Sequence, residues 1–316
     1  MTYSVGLIGC GRIGYLNDRN LNKGTYSYFH SIRNHKKFRL VAVVDIKKNI
    51  RTEISKKYKI PAYLSYDKMM RMHNPDLVIV ATNDPSHYQI LMSIVNYNPK
   101  FVFAEKPLAN TSVEIKKIIN KYKKKQIPLS INFSRRFSPT FNYIHDLLKN
   151  NHLGKIERVN MQYSRGFIHN AIHLLDLTLW YFGIPKSIEI ESTKPSKSFK
   201  GDKTIDLRMK YNANMDVRLH GLDIDYLGNE EIDIIGSLGR IRVQPDDEYN
   251  EYKIVSHKNY FQTRVFKKVK VKKISNISLI KNALDMIYQN LNGSSKKIIS
   301  PAYNSGVIDL MLKNIK

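Results

Sequence analysis

The chain has 316 residues, 42% of them hydrophobic and 25% charged, which indicates a folded protein long enough for two domains rather than a disordered one. No apolar run approaches about 18 residues and an apolar strand begins almost at once, so we expect neither a membrane helix nor a signal peptide, and the single cysteine excludes an internal disulfide. The net charge of +25 excludes an acidic protein and favours anionic partners.

A glycine-rich turn follows the first predicted strand. The apolar run Tyr3–Ile8 leads into Gly9-Cys10-Gly11-Arg12-Ile13-Gly14, the spacing of a dinucleotide-binding turn. In such a turn Gly9 permits the change of direction, Gly11 lets a pyrophosphate approach the backbone, and Gly14 lets the next helix pack on the sheet. The spacing predicts a dinucleotide-binding domain, with the phosphates at the start of a helix.

The region between the first two strands is longer than this fingerprint usually allows. The second apolar run, Arg39–Val44, ends in Asp45, an acceptor for ribose hydroxyls, but Asp45 follows Gly14 by 31 residues instead of about 20. Residues Tyr15–Tyr28 are polar, aromatic and poorly periodic, which indicates an inserted loop before a helix near 27–35. Two interpretations stay open: the loop covers a ligand, or it is a plain surface insertion.

Two more strands end in residues that suit a site. The run Asp76–Ala81 is followed by the polar loop Thr82–His87, and Phe101–Ala104 ends in Glu105-Lys106-Pro107. Ligands of open parallel sheets bind at the carboxyl ends of strands, so both places are candidates, although a salt bridge would also explain the Glu-Lys pair. Helices are expected over 49–58, 66–72 and 88–97, and at a lysine-rich helix end, 116–125.

The second half has a different pattern, and we place the domain boundary between residues 128 and 129. Helices are predicted at 141–149, 171–182, 276–292 and 302–315, and strands at 127–133, 156–164, 186–193, 203–211, 215–222, 231–236, 239–243, 252–256 and 264–272. Strands that follow one another without helices predict an antiparallel sheet with helices on one face. The fold class is therefore α/β: a Rossmann domain, residues 1–128, and an α+β domain with a large open sheet, residues 129–316.

A second group of polar residues precedes an apolar helix, within the stretch Arg165–Asp176. His169 and His173 are four apart and Asp176 follows three later, so they share a face if this part is helical. Two histidines at this spacing occur in zinc sites, but the intervening Glu and a third ligand are missing, so we predict no metal. A histidine at the start of a helix that faces a cleft suits a general base; a buried structural histidine is the alternative.

Eight segments together resemble the Gfo/Idh/MocA oxidoreductases, most of which oxidise or reduce sugars, cyclitols and nucleotide-sugars with NAD(P). The segments are GCGRIG at 9–14, VAVVD at 41–45, ATNDPSH at 81–87, EKPLA at 105–109, NFSRRFSP at 132–139, LGKIERV at 153–159, HLLDLTLWYFG at 173–183 and GSLGRIRV at 236–243. They span nearly the whole chain, in order. The EKP motif with the later H-x-x-D is specific, whereas the glycine motif is not.

The resemblance implies roles for individual residues. Lys106 matches the catalytic lysine and His173 the histidine that accepts the hydroxyl proton, and the two are expected to meet at one hydroxyl beside the nicotinamide. The implied cofactor-binding residues are Gly9, Gly11, Arg12, Ile13, Asp45, Thr82, Asn83, His87, Glu105 and Lys106, and the substrate-binding residues are Arg165, His169, Asn170 and Asp176. The family usually has Asp where this chain has His169, which implies another substrate, altered chemistry or a protein that binds the cofactor without turning over.

The expected partners follow from these residues and from the charge. Asp45 favours NAD, because a carboxylate repels a 2′-phosphate, while Lys47 and Lys48 leave NADP open. The substrate is expected to be a small sugar or nucleotide-sugar, with a cytoplasmic homodimer or homotetramer as the assembly. The alternative of a nucleic-acid-binding protein rests on the +25 charge, but no basic run is interleaved with stacking aromatics, which disfavours it.

Overall fold

The computed structural model describes residues 1–21, 26–212, 215–224, 230–244, 249–256, 263–269 and 278–294. The chain divides into two compact units. The first comprises Met1–Phe137 and the chain from Ile277 onward, and the second comprises Ser138–Asn276. The predicted functional assignment, cofactor binding to residues 1–128 and substrate binding to residues 129–316, stays a prediction.

The first unit is built on a six-stranded parallel sheet in the order β3-β2-β1-β4-β5-β6. The inner strands β4 and β5 are wholly buried, as expected where helices cover both faces of a parallel sheet. The order reverses between β1 and β4, and open sheets bind ligands at such a reversal. The elements are β1 Tyr3–Ile8, α1 Tyr28–Arg33, β2 Phe38–Val44, α2 Lys48–Tyr58, β3 Ala62–Tyr63, α3 Tyr66–His73, β4 Leu77–Val80, α4 Asp84–Ile94, β5 Phe101–Ala104, α5 Ser112–Lys124 and β6 Leu129–Ile131.

The long segment after the glycine turn is an excursion from the first helix. In an uninterrupted α-helix the carbonyls of Ile13 and Gly14 would accept from N–H groups four positions on, at residues 17 and 18. Here they accept from Tyr28 and Phe29, each at 2.9 Å, so the excursion adds eleven residues. Without those eleven, Asp45 would follow Gly14 by the usual spacing of about 20 residues. The predicted insertion is therefore confirmed, and α1 continues the helix that the glycine turn begins.

The described ends of the excursion are tied to the rest of the first unit. The Tyr15 hydroxyl donates to Glu53 of α2 at 2.6 Å, and Arg19 reaches the same carboxylate. The buried Asp18 accepts from the N–H of Tyr26 at 2.8 Å. Residues 22–25 lie outside the described residues, so the choice between a ligand cover and a surface insertion stays open.

The closing helix α8, Leu279–Leu291, packs in the first unit although it comes last in the described chain. Tyr3 of β1 donates to the Leu291 carbonyl at 2.8 Å, and the Asn282 amide donates to the Phe137 carbonyl at 2.8 Å. The further helix predicted at 302–315 lies outside the described residues.

The second unit carries an eight-stranded sheet in the order β14-β13-β12-β11-β7-β10-β9-β8. Among the described strands of this sheet, β7 and β10 pair in parallel and the other neighbours are antiparallel, as predicted. Along β7 the side chains of Val159, Met161 and Tyr163 are buried and those between them are exposed, so the sheet covers its core with one face. The elements are α6 Pro139–Lys149, β7 Ile156–Tyr163, α7 Ile172–Phe182, β8 Ser187–Pro195, β9 Lys203–Asn212, β10 Met215–Gly221, β11 Glu230–Gly236, β12 Gly239–Val243, β13 Tyr249–Ser256 and β14 Arg264–Val269.

One predicted helix was displaced along the chain, whereas the helix predicted at 171–182 agrees with α7, Ile172–Phe182, to within one residue. The helix expected at 88–97 begins at Asp84, because Asn83 occupies the cap position and Pro85 suits the first turn. The residues before α7 are not α-helical: Phe167–Ala171 form a wide turn that leads directly into Ile172. No helix within the described ranges is long and apolar enough to span a bilayer.

Candidate active site

The three glycines of the first turn have different surroundings. A Cβ on Gly9, whose φ is +95°, would lie 2.5 Å from the Ala81 carbonyl oxygen, and a Cβ on Gly14 would lie 2.1 Å from the Gly9 carbonyl oxygen. The fold itself therefore requires both of these glycines. A Cβ on Gly11 would meet nothing within 4 Å. Packing within the protein therefore does not require a glycine at this position. The open space beside the Gly11 backbone is what a bound pyrophosphate would need.

The same turn presents backbone donors. The N–H groups of Gly11, Arg12 and Ile13 donate to no other residue in the part of the chain that the structure describes. They lie at the start of the helix that α1 continues, where the helix dipole favours an anion. The glycine turn thus fits the diphosphate of a dinucleotide both sterically and electrostatically.

Asp45 lies at the carboxyl end of β2 and holds the glycine turn. Its Oδ2 accepts from the Cys10 N–H at 2.8 Å and its Oδ1 from the Lys47 N–H at 2.7 Å. A carboxylate has about four acceptor sites, so both oxygens keep capacity for ligand hydroxyls. Burial, with Asp45 nearby, raises the pKa of the Cys10 thiol and keeps it a neutral packing residue.

The loop after β4 places Thr82 half-buried and Asn83 exposed, with His87 in the first turns of α4. His87 is completely buried. Its Nδ1 lies 2.7 Å from the Pro107 carbonyl oxygen and its Nε2 3.0 Å from the Thr82 carbonyl oxygen. His87 therefore joins the β4 loop to the turn that contains Lys106, and its predicted role as a cofactor contact stays a prediction.

Glu105 ends β5 in a buried polar cluster. The Tyr28 hydroxyl donates to Glu105 Oε1 at 2.7 Å. The Asn132 amide donates to the same oxygen at 2.7 Å and to the Tyr28 oxygen at 2.8 Å. Sequence reasoning missed Tyr28 and Asn132 as site residues. Asn132 opens a segment that resembles the family, which was a usable signal, whereas Tyr28 fell within the excursion.

Lys106 directly follows Glu105 and is half-buried. The Lys106–Pro107 peptide bond is cis. The chain thus places the predicted catalytic ammonium at the carboxyl end of β5, on the edge of the sheet where the glycine turn and Asp45 also lie. Its catalytic role stays a prediction.

In the second unit, the wide turn before α7 carries a histidine–carboxylate pair. His169 Nδ1 lies 2.7 Å from Asp202 Oδ2, and the His169 ring stacks on Phe199 with centroids 3.9 Å apart. Burial by itself would raise the pKa of the Asp202 carboxyl, but hydrogen bonds from His169 and from three backbone N–H groups outweigh it and lower that pKa. Asp202 lies 33 residues from His169. No local pattern could have found it.

The backbone at this turn requires a glycine. Arg165 and Gly166 both have positive φ, +63° and +83°, and a Cβ on Gly166 would lie 2.3 Å from Asp202 Oδ2. The Arg165 side chain is exposed, with its guanidinium carbon 5.8 Å from the Phe199 ring centroid. The fold therefore brings two predicted substrate-binding residues, Arg165 and His169, to the same aromatic ring.

The remaining predicted residues of this unit lie at the start of α7. The Asn170 amide donates to the Ser164 carbonyl at 2.9 Å and so closes the turn. His173 is partly exposed in the first turn of α7, and Asp176 is buried one turn later. Their predicted roles in substrate binding and proton transfer stay predictions. Within the described ranges, no three His, Cys, Asp or Glu side chains are grouped as a metal site requires.

A cavity of about 430 Å³ lies on the exposed face of the second sheet. It is lined by Arg158, Asn160, Arg208, Asp216 and Arg218. Arg208 and Arg158 both contact Asp216, so part of the positive charge is compensated locally. No predicted site residue lines this cavity.

The sequence matches a known family over the first unit's sheet. Residues 3–133 match the GFO_IDH_MocA family, described as an oxidoreductase family with an NAD-binding Rossmann fold. These residues are less than half of the chain, and over them it is similar to the Gfo/Idh/MocA family. The match confirms the resemblance stated from the motifs, the Rossmann fold and the expectation of an NAD-binding domain.

Curated relatives share limited identity with this chain. The myo-inositol 2-dehydrogenase of Thermotoga maritima is 29% identical over 151 residues, which cover 48% of this chain and 42% of the relative. The oxidoreductase YrbE of Bacillus subtilis is 25% identical over 194 residues, 56% of this chain and 53% of the relative. The chain thus matches about half or less of the length of these relatives.

Solved structures extend the likeness of the fold to the whole chain. The WlbA dehydrogenase of Bordetella pertussis, in complex with NADH and UDP-GlcNAcA, has a TM-score of 0.79 at 16% identity and covers 99% of this chain and 95% of its own. A dehydrogenase of Chromobacterium violaceum has a TM-score of 0.80 at 13% identity and covers 99% and 94%. At such identities these similarities concern the fold alone.

Proposed function

We propose that this protein is an NAD-dependent oxidoreductase that acts on a CH–OH group of a sugar, cyclitol or nucleotide-sugar. The observation that carries the proposal is the glycine turn: open space at Gly11 beside backbone donors at a helix start, in a segment that matches an NAD-binding family. The name of one relative, a myo-inositol 2-dehydrogenase, supports the class of substrate.

The first unit holds the cofactor in this proposal. The N–H groups of Gly11, Arg12 and Ile13 bind the diphosphate, and Asp45 accepts from ribose hydroxyls. A carboxylate at this position disfavours a 2′-phosphate, so NAD is proposed over NADP. When bound, NAD supplies the acceptor for the hydride that leaves the carbinol carbon.

Two side chains act on the substrate hydroxyl. His173 accepts its proton, a task for which imidazole is suited near neutral pH. The Lys106 ammonium donates a hydrogen bond to the same oxygen and stabilises the negative charge that develops there. In the reverse direction His173 returns the proton and Lys106 polarises the carbonyl. The side chains of Arg165, His169, Asn170 and Asp176 are proposed to bind the other hydroxyls of the substrate.

The test is turnover of a substrate panel by the purified full chain. Inositols, hexoses, and UDP- and dTDP-sugars are incubated with NAD, and formation of the reduced cofactor is followed by its absorbance. Lys106→Ala and His173→Asn are expected to bind NAD but to lose about 100-fold or more in kcat, the usual contribution of a proton-transfer or charge-stabilising group. Undiminished turnover in either variant contradicts the assigned role.

A second candidate is a protein that binds the cofactor and regulates another process. His169 favours this candidate, because the family that the chain resembles usually has Asp at this position. The His169 imidazole here pairs with the buried Asp202. This candidate predicts NAD binding with no reduced cofactor formed from any member of the panel. The same experiment therefore separates the two functions.

A further inference from the structure

Three buried side chains meet beside the predicted cofactor site. Tyr28 is fully buried, and Asn132 and Glu105 are 5% and 8% exposed. They come from the start of α1, the end of β6 and the end of β5. The excursion delivers Tyr28 to this place, because the Tyr28 N–H bonds the Ile13 carbonyl of the glycine turn.

The hydrogen bonds of this cluster run toward Glu105. Asn132 Nδ2 uses its two hydrogens, one toward the Tyr28 oxygen and one toward Glu105 Oε1. The Tyr28 hydroxyl accepts the first of these and donates its own hydrogen to Glu105 Oε1. The phenol and the amide thus donate, and Glu105 accepts at the end of the network.

The two oxygens of Glu105 are therefore unequal. Oε1 accepts from two buried donors, whereas Oε2 accepts from no residue within the described ranges. Glu105 lies at the carboxyl end of β5, where ligands of such sheets bind. An oriented carboxylate oxygen there suits a ligand that brings a hydroxyl or an amide N–H.

The pKa of the donor, Tyr28, also supports this arrangement. Burial first, and then the adjacent Glu105 carboxylate, raise the pKa of the Tyr28 phenol well above its usual value. Tyr28 thus stays a hydrogen-bond donor at every pH at which the protein would work. A buried carboxylate without such donors would be costly, so the cluster holds Glu105 in one orientation.

We propose that Tyr28 and Asn132 are positioning residues that fix Glu105 so that its Oε2 binds a hydroxyl or amide N–H of the nicotinamide dinucleotide. The inference rests on the proposed function. It assigns to the end of the excursion a task in cofactor binding, carried out through Glu105 and not by contact with the cofactor.

The test compares two buried tyrosines of the same unit. Tyr28→Phe removes only the hydroxyl and keeps the ring that packs against Phe103. Tyr122→Phe is the matched control, because its hydroxyl is also buried but donates to the Leu91 carbonyl, away from Glu105. NAD binding to the full chain is measured by calorimetry, and Tm by thermal unfolding without NAD.

The two variants are expected to lose similar amounts of Tm but to differ in NAD binding. Tyr28→Phe raises the Kd for NAD by about five- to twentyfold, which is part of the about ten- to 150-fold that a hydrogen bond to a charged group contributes, because Oε2 remains and loses only its orientation. Tyr122→Phe leaves the Kd within about twofold. Equal Kd values for the two variants overturn the inference.

A double-mutant cycle shows whether Tyr28 acts through Glu105. Glu105→Ala raises the Kd by itself, and adding Tyr28→Phe to it is expected to change the Kd no further. The same full effect of Tyr28→Phe in both backgrounds overturns the positioning role. Should Tyr28→Phe fail to fold, Asn132→Ala takes its place in the cycle with the same expectation. If the unaltered protein binds no NAD, the proposed function fails; if it binds NAD and the cycle is additive, only this inference fails.

Discussion

Replacing Gly11 by Ala separates the demands of the fold from those of the ligand. The added Cβ would meet no protein atom within 4 Å, and the φ of Gly11 is not in the left-handed region. At a compatible position Gly→Ala stabilises a protein by about 0.4–1 kcal/mol, because the unfolded chain loses freedom. For a domain of this size about 1 kcal/mol moves Tm by about 2–4 °C. We therefore expect an unchanged or slightly higher Tm.

The same methyl group is expected to weaken NAD binding strongly. Forcing a methyl into a close contact costs about 1–3 kcal/mol, which is about five- to 150-fold in Kd. Gly14→Ala is the contrasting variant: its Cβ would lie 2.1 Å from the Gly9 carbonyl oxygen, so this variant loses stability with or without ligand.

Thermal unfolding without NAD, and calorimetric titration with NAD, measure the two effects separately. Gly11→Ala should fold like the unaltered protein and bind NAD poorly, while Gly14→Ala should unfold at a much lower temperature. Normal NAD affinity in Gly11→Ala would refute the placement of the diphosphate at this turn. A loss of Tm equal to that of Gly14→Ala would refute the steric argument.

Three further variants test other parts of the structure. Asp45→Asn removes the charge that repels a 2′-phosphate, so the ratio of the NADP and NAD dissociation constants should fall by about tenfold in titrations; an unchanged ratio contradicts this role. Burial alone would raise the pKa of Asp76, but hydrogen bonds from Lys100 and from Ser4 outweigh burial and lower that pKa. The Asp76 carboxylate therefore stabilises the fold above a pH of about 4, and this contribution is lost as the pH falls below that value. Asp76→Asn should therefore reduce the loss of unfolding free energy between about pH 4 and pH 2 in denaturant titrations, and an identical acid dependence would be contrary evidence. Gly166→Ala should lower Tm more than Gly183→Ala, because both have positive φ but only the Cβ on Gly166 would strike Asp202; similar losses would disprove the clash.

Apolar runs, turn residues and glycine spacing predicted both sheets except for the two-residue strand β3. The strands β1, β2, β4 and β5 are mostly apolar runs. Such runs, when segments of helical periodicity separate them, indicate a parallel sheet. The antiparallel sheet was predictable for the same reason, because its strands follow one another without helices. These features are local, so neighbouring residues suffice to specify them.

The details of the site depend on hydrogen bonds between residues far apart in the chain. The hydrogen bond from Tyr28 to Glu105 spans 77 residues, and that between His169 and Asp202 spans 33. The spacing of Gly14 and Asp45 predicted the insertion, but its length of eleven residues followed only from the hydrogen bonds that Tyr28 and Phe29 donate to the Ile13 and Gly14 carbonyls. Burial makes such pairings obligatory, since a polar group removed from water must find a partner, but which partner it meets depends on how the strands and helices pack. Local composition and spacing determine the sheets and the glycine turn, whereas packing decides which distant side chains orient Glu105 and His169.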